Sequence, residues 1–313
     1  MVAIEVKNLK KNYGDFTAVN DISFKINKGE IFGFLGPNGA GKTSTINMMI
    51  GLSKPTSGEI FIDSIDVNKK LKHAQSIMGI VPDESNLYNE MNGFDNLCFC
   101  GALYGMSKKD RETRANHLLE VFKLKEARSK LFKSYSKGMK RKLTIAAALM
   151  HSPSILFLDE PTTGIDVESS RQIRDMIISL KDKGTTIFLT THYIEEAERL
   201  CDCVAFISNG KIVALGTVDE LMEDVFNDNS IIFETDKNIK TYLNIIQNEF
   251  NTNKIKIINE NSFVMISNQP ILLIEVIKFL NDKKINVLEA KKIRPSLEDV
   301  FVKLTNDRQG DMK

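Results

Sequence analysis

The sequence predicts an α/β protein: a parallel sheet buried on both faces, followed by a small α+β domain of ferredoxin-like element order. Three observations carry this expectation. Two apolar runs, SILFLD at 154–159 and TTIFLTTH at 185–192, are separated by the helical segment SSRQIRDMIISLKDKG. Strand, helix and strand at this spacing make a right-handed parallel crossover, and helices then cover both sides of the sheet. A glycine-rich stretch at 36–43 lies between a strand-like IFGFL and a helix-like STINMMIGL, the order of a phosphate-binding loop. Past residue 229 the pattern reads strand, helix, strand, strand, helix, strand.

Composition agrees with two domains. At 313 residues and 42% hydrophobic content, the chain is long enough to bury real cores and lies outside the disordered and fibrous classes. Lys+Arg at 42 against Asp+Glu at 41 leaves a formal charge of +1. There is no global basic field of the kind that marks a nucleic-acid binder, so no nucleic-acid partner is expected. Four cysteines stand as two Cys-x-Cys pairs, Cys98/Cys100 and Cys201/Cys203. They lack zinc-finger spacing, and on a strand the members of each pair would face opposite ways, so reduced buried thiols are expected. No segment approaches the ~18–20 apolar residues that span a bilayer, and MVAIEVKNLKKNYG has no signal-peptide core. The expected location is cytoplasmic, or on a membrane through partners.

In order along the chain, residues 1–35 alternate apolar runs (AIEV, ISFKI, IFGFL) with turn signals at Tyr13-Gly14-Asp15 and Lys28-Gly29-Glu30, which predicts strands. From Asn86 to about Met150 the apolar positions recur with helical period, through NHLLEVFKLKEA and KLTIAAALM. The parallel crossover follows. The polar EDVFNDN at 223–229 reads as a linker. Beyond it come strand SIIFET, helix NIKTYLNIIQNEF, strands KIKII and SFVMIS, helix ILLIEVIKFLNDK and strand INVLEAKKI. The expected organisation is a first domain at 1–222 with a helical part at about 86–150, a linker at 223–229, a second domain at 230–306 and a polar tail at 307–313.

The chemistry begins at Gly36-Pro37-Asn38-Gly39-Ala40-Gly41-Lys42-Thr43, which satisfies G-x-x-x-x-G-K-[ST]. The glycines let successive backbone N–H groups converge on phosphate oxygens at a positive helix N-terminus. Lys42 adds a point charge, and the Thr43 hydroxyl suits Mg²⁺. Gly36, Asn38, Gly39, Ala40, Gly41, Lys42, Thr43 and Ser44 are therefore the expected nucleotide contacts. Such a site also needs a carboxylate for Mg²⁺ and a group to orient water. ILFLDE supplies both at one strand end: Asp159 beside the metal, and Glu160 one residue nearer the γ-phosphate. His192 ends the next strand, where a γ-phosphate contact is expected, while His73, His117 and His151 have no such setting. The basic stretch SYSKGMKRK at 134–142 admits three readings on its own: a nucleic-acid patch, a solvated helix face, or a phosphate site.

The phosphate loop, YSKGM, LFLDEP, GID at 164–166 and TTH together resemble the ATP-binding subunit of an ATP-binding-cassette (ABC) transporter, over roughly residues 3–222. The resemblance implies a P-loop NTPase core with a β-subdomain and a helical subdomain, and ATP and Mg²⁺ as cofactors. YSKGM stands where that family has its LSGGQ signature, and the signature of one subunit faces the ATP held by the other. Ser136 and the Gly138 backbone N–H are thereby implied to bind the γ-phosphate in trans. Asp166 is implied to belong to the loop that crosses the dimer. Tyr13 is implied to stack on adenine, with Val19 packed on the same ring. The cations after Met139 are expected along the helix, partly solvated. Lys137 replaces a family glycine. Asp83, in GIVPDESNLY, stands where the family has a glutamine, and as a hard oxygen ligand it can approach Mg²⁺. RPSLEDVFVKLT at 294–305 resembles the C-terminal accessory domain of drug-efflux and sodium-efflux cassettes.

What this likeness implies is an ATPase that forms a homodimer or paired cassette around ATP and drives a separate integral membrane permease, for export rather than import. Such a subunit is peripheral on the inner face of the cell membrane. The alternative is a soluble cassette acting on ribosomes or nucleic acid. Those relatives usually carry two cassettes, a long coiled-coil insertion or zinc cysteines, which this sequence lacks. A P-loop GTPase is disfavoured because there is no N-K-x-D motif.

Overall fold

The structure, a computed structural model, describes residues 1–225, 229–250, 254–267, 269–293 and 296–310. The chain divides into two compact units, Met1–Val218 with Leu304–Lys313, and Asp219–Lys303.

The first unit opens with β1 (Val2–Tyr13), β2 (Phe16–Asn27), β3 (Ile31–Leu35), α1 (Lys42–Met49), β4 (Ser57–Ile62), β5 (Ile65–Asp66), α2 (Leu71–Gln75) and β6 (Met78–Val81). The helical part comprises α3 (Gly93–Leu103), α4 (Lys108–Val121) and α5 (Lys137–Ala148). Then come β7 (Ile155–Asp159), α6 (Val167–Asp182), β8 (Thr186–Thr191), α7 (Ile194–Leu200), β9 (Cys203–Ser208) and β10 (Lys211–Thr217).

Two sheets result. One is antiparallel, in the order β2-β1-β4-β5; the other runs β10-β9-β3-β8-β7-β6, with every pair parallel except β10 and β9. Phe24 of β2 stacks on Phe32 of β3 at 5.3 Å, and Phe188 of β8 lies 5.7 Å from Phe157 of β7. The aromatic core thus joins the two sheets; each fully buried Phe contributes about 1.5–3 kcal/mol. Because β8 lies between β3 and β7, their carboxyl ends are adjacent. The 36–41 loop, Asp159-Glu160 and Thr190-Thr191-His192 therefore meet at the sheet edge where open α/β proteins bind ligands.

The helical part departs from expectation at its start. Residues 86–92 are not helical. Buried Asn96 holds them instead: its Oδ1 accepts from Tyr88 N at 2.8 Å, and its Nδ2 donates to Tyr88 O at 3.0 Å. Asn92, Ser107 and Ser136 cap α3, α4 and α5, accepting from the amides of Asp95, Asp110 and Met139. Cys98 and Cys100 lie on α3, not on a strand. All four cysteines are free, and burial pushes the Cys100 thiol up to about 11.

The expected linker at 223–229 is corrected. α8 (Val218–Val225) covers its first residues and β11 (Asn229–Thr235) its last, while 226–228 lie outside the described residues. The second unit continues with α9 (Leu243–Glu249), β12 (Lys254–Ile257), β13 (Ser262–Ser267), α10 (Leu273–Asp282) and β14 (Val287–Ile293); α11 (Leu297–Gly310) follows, its residues from Leu304 on being grouped with the first unit. The second unit's strands form an antiparallel sheet in the order β12-β13-β11-β14. Phe233 and Phe263 stack at 5.1 Å, with Ile246, Val276 and Leu280 buried around them. Residues 307–310 of the expected polar tail belong to α11; 294–295 and 311–313 lie outside the described residues. Among the described residues no helix is long and apolar enough to cross a membrane.

Candidate active site

β3 runs directly into the glycine-rich loop. A Cβ on Gly36 would fall 2.2 Å from Ile207 O, and one on Gly41, at φ 110°, would fall 2.5 Å from Ala18 O. The loop's path therefore admits no side chain at either position. No side chain caps the first turn of α1, which leaves its amides and the positive helix end to an anion. Thr43 is exposed at that turn. Lys42 is 7% exposed. Its Nζ donates to Gly36 O at 2.7 Å and to Pro37 O at 3.3 Å, and burial holds its pKa below the ordinary lysine range.

Across from it, Asp159 ends β7 and accepts from Thr190 Oγ1 at 2.5 Å. Burial raises its carboxyl above the usual range, and the charges of Asp83 and Glu160 add to the rise. Glu160 follows at φ 49°. Its carboxylate lies 3.8 Å from Lys42 Nζ, accepts from Thr163 Oγ1 at 2.9 Å, and meets His192 Nδ1 at 2.9 Å. Lys42, Asp159, Glu160 and His192 thus form one cluster beside the loop, with Asp83 close enough to act on Asp159.

A second cluster forms where α5 and α6 begin. Ser136 is exposed and caps α5 with its side-chain oxygen; a hydroxyl that accepts from Met139 N keeps its proton free to donate. Asp166 caps α6, accepting from Ser169 N at 2.8 Å, and that bond holds its carboxyl below the usual range. Gly138 lies against both: a Cβ there would fall 2.2 Å from Ser169 Oγ and 3.2 Å from Asp166 Oδ2. The glycine is thus required within one chain, whatever the helix start faces.

Two expectations change. Val19 is 0% exposed and belongs to the core, so its side chain has no surface to offer a base. Tyr13 does, at 49% exposed, with Lys11 Nζ 4.8 Å from its ring centroid. The cations after Met139 are not uniformly solvated either: Arg141 is buried, Lys142 bonds Gln172, and Lys140 Nζ lies 5.5 Å from the Phe132 centroid. Sequence reading also passed over Thr190, which bonds both Asp159 and the Glu160 amide. A threonine inside an apolar strand, TIFLTT, was the available signal.

The family model described as ABC transporter matches residues 19–163. The linearmycin resistance ATP-binding protein LnrL of Bacillus subtilis (strain 168) is 36% identical over 304 residues, 96% of this chain and 98% of that protein. The Nod factor export ATP-binding protein I of Burkholderia lata is 40% identical over 220 residues, 70% of this chain and 72% of that protein. Among solved structures, an ATP-binding subunit of an ABC transporter superposes with a TM-score of 0.66 at 32% identity, covering 71% of this chain and 92% of that one. A dimeric bacterial ABC transporter cassette gives 0.64 at 27% identity, covering 68% and 98%. With the phosphate loop, the Asp-Glu strand end and the histidine already assembled at one sheet edge, these likenesses establish that the chain belongs to the ABC transporter ATP-binding family and is an ATPase.

Proposed function

We propose that this chain dimerises around two ATP molecules, hydrolyses them and powers a separate membrane permease in the direction of export, seated on the inner face of the membrane through that permease. The observation that carries it is the Lys42–Glu160–His192 cluster beside the phosphate loop. The Gly36 and Pro37 carbonyls that hold Lys42 are exchanged for β- and γ-phosphate oxygens when nucleotide binds. Glu160 orients the attacking water. His192, with Nδ1 on Glu160, keeps Nε2 for the γ-phosphate. Tyr13 gives adenine a π-face. Resistance and export in the relatives' names support the direction, and the formal charge of +1 weighs against the nucleic-acid alternative.

Thr43, Asp159 and Asp83 are hard oxygen donors that fit Mg²⁺. Among the described residues no group of three or more His, Cys, Asp and Glu side chains is arranged to hold a metal. Thr43, Asp159 and Asp83 would hold the ion, which would supply positive charge to offset the charge developing on the phosphates.

Ser136, the Gly138 amide and Asp166 complete the partner's site in this reading. Heterodimers of a Lys42→Ala chain and a Ser136→Arg chain test it. If sites are shared, one site in each heterodimer combines both intact halves, and it occludes one ATP per dimer. If each chain completes its own site, every site keeps a defect, and no ATP is trapped in heterodimers shown to form. Ser136 is the better position than Gly138 because its side chain is exposed, whereas a side chain at 138 collides within its own chain.

A further inference from the structure

A buried guanidinium lies where the backbone segments of the site converge. Arg141 of α5 is 7% exposed. Its Nε donates to Pro161 O at 3.0 Å, Nη1 to Pro82 O and to Asp83 O at 3.0 Å, and Nη2 to Asp159 O. All these acceptors are backbone carbonyls. They come from the segment after β6, which carries Asp83, and from the β7 end and its following loop, which carry Asp159 and Glu160. A second tie joins the same helix to the same segment: Thr144 and Ser85 hydroxyls meet at 2.8 Å. Burying a cation is unfavourable unless its donors are bonded, and a guanidinium's five fixed N–H donors serve these four carbonyls at once, where a lysine ammonium has three donors on a single nitrogen. The charges of Asp83, Asp159, Glu160 and Glu196 favour the cation there against the effect of burial. The helix so anchored is the one whose N-cap is Ser136.

We propose that Arg141 is a positioning residue that clamps the Asp83 segment and the Asp159–Pro161 strand end to α5, so that nucleotide at a subunit's own phosphate loop is felt at the helix start that subunit offers its partner. The destination of that signal rests on the shared-site reading; the clamp does not.

Hydrogen exchange on the full chain tests it with ADP and Mg²⁺, which supply no γ-phosphate to bridge two subunits. In the unsubstituted protein, ADP should slow exchange at amides 39–44, 83–85 and 137–140. Arg141→Lys keeps the charge and loses the fork; it should retain the protection at 39–44, which also confirms that it is folded, and lose it at 137–140. Its kcat for ATP hydrolysis should fall about 100-fold, the scale expected when a distant change misplaces reacting groups, with ADP affinity unchanged. The proposal is overturned if ADP leaves 137–140 unaffected in the unsubstituted protein, a result needing no variant, or if Arg141→Lys transmits the protection or turns over normally. Failure of the heterodimer trapping experiment would instead remove the shared-site reading and leave the exchange result standing.

Discussion

Glu160 sits in the left-handed backbone region at φ 49°, which costs a residue bearing a Cβ roughly 1–3 kcal/mol. Its amide is pinned by Thr190 O at 3.1 Å and Thr190 Oγ1 at 3.2 Å, and the turn carries the carboxylate toward Lys42 and His192. Glu160→Gln preserves shape and removes the base; ATP binding should persist while phosphate release slows about 10²–10⁴-fold. Full turnover in that variant would remove Glu160 from the chemistry. Asp159 supplies a pH prediction. Its folded pKa is raised, chiefly by burial, so the folded state holds that proton more readily than the unfolded chain, and stability falls as pH rises from the ordinary aspartate range through the folded value. Without nucleotide and in a chelator, Asp159→Asn should therefore melt higher than the parent protein near neutral pH. The gap should close in acid, while ATP hydrolysis is lost. Equal melting temperatures at neutral pH would contradict a carboxylate whose burial outweighs its bond from Thr190.

At the scale of elements, the start of α5 does two things with three residues. Ser136 caps it, Gly138 lets α6 approach, and the Met139 amide is spent on the cap. Gly138→Ala should destabilise the protein by about 1–3 kcal/mol through overpacking against Ser169. In a denaturant double-mutant cycle, Ser169→Gly should relieve part of that cost; strict additivity would show that the two helices part freely. The residues of this stretch alone left three readings open, and only the resemblance to the family signature implied a phosphate-facing helix start. The helix packing behind it was not, since Ser169 and Asp166 lie far along the chain. Arg141 was misread for the same reason: its neighbours in sequence are cations, and its partners are carbonyls from 82–83 and 159–161.

At the scale of the molecule, the residues proposed for the nucleotide site all fall in the first unit, and the second has its own core around Phe233 and Phe263. A chain ending at Val225 should therefore still bind ATP, with an affinity measured by calorimetry close to that of the full chain. A truncated protein that folds and fails to bind would show that the C-terminal residues help build the site.

What the sequence by itself determined is the set of local contests it settles strongly. Periodicity separated strands from helices, because alternating and helical burial need different spacings. Gly36 to Thr43 and ILFLDE declared a nucleotide site, because glycine at the loop and carboxylates after a buried strand have few other uses. The tertiary structure decided the rest. It withdrew Val19 into the core, took residues 86–92 out of the helix through buried Asn96, carried α8 into the expected linker, and drew Arg141 inside. Each outcome depends on which distant groups arrive beside a residue once the sheet closes. Burial and hydrogen-bond satisfaction are properties of that meeting, and no window of sequence contains it.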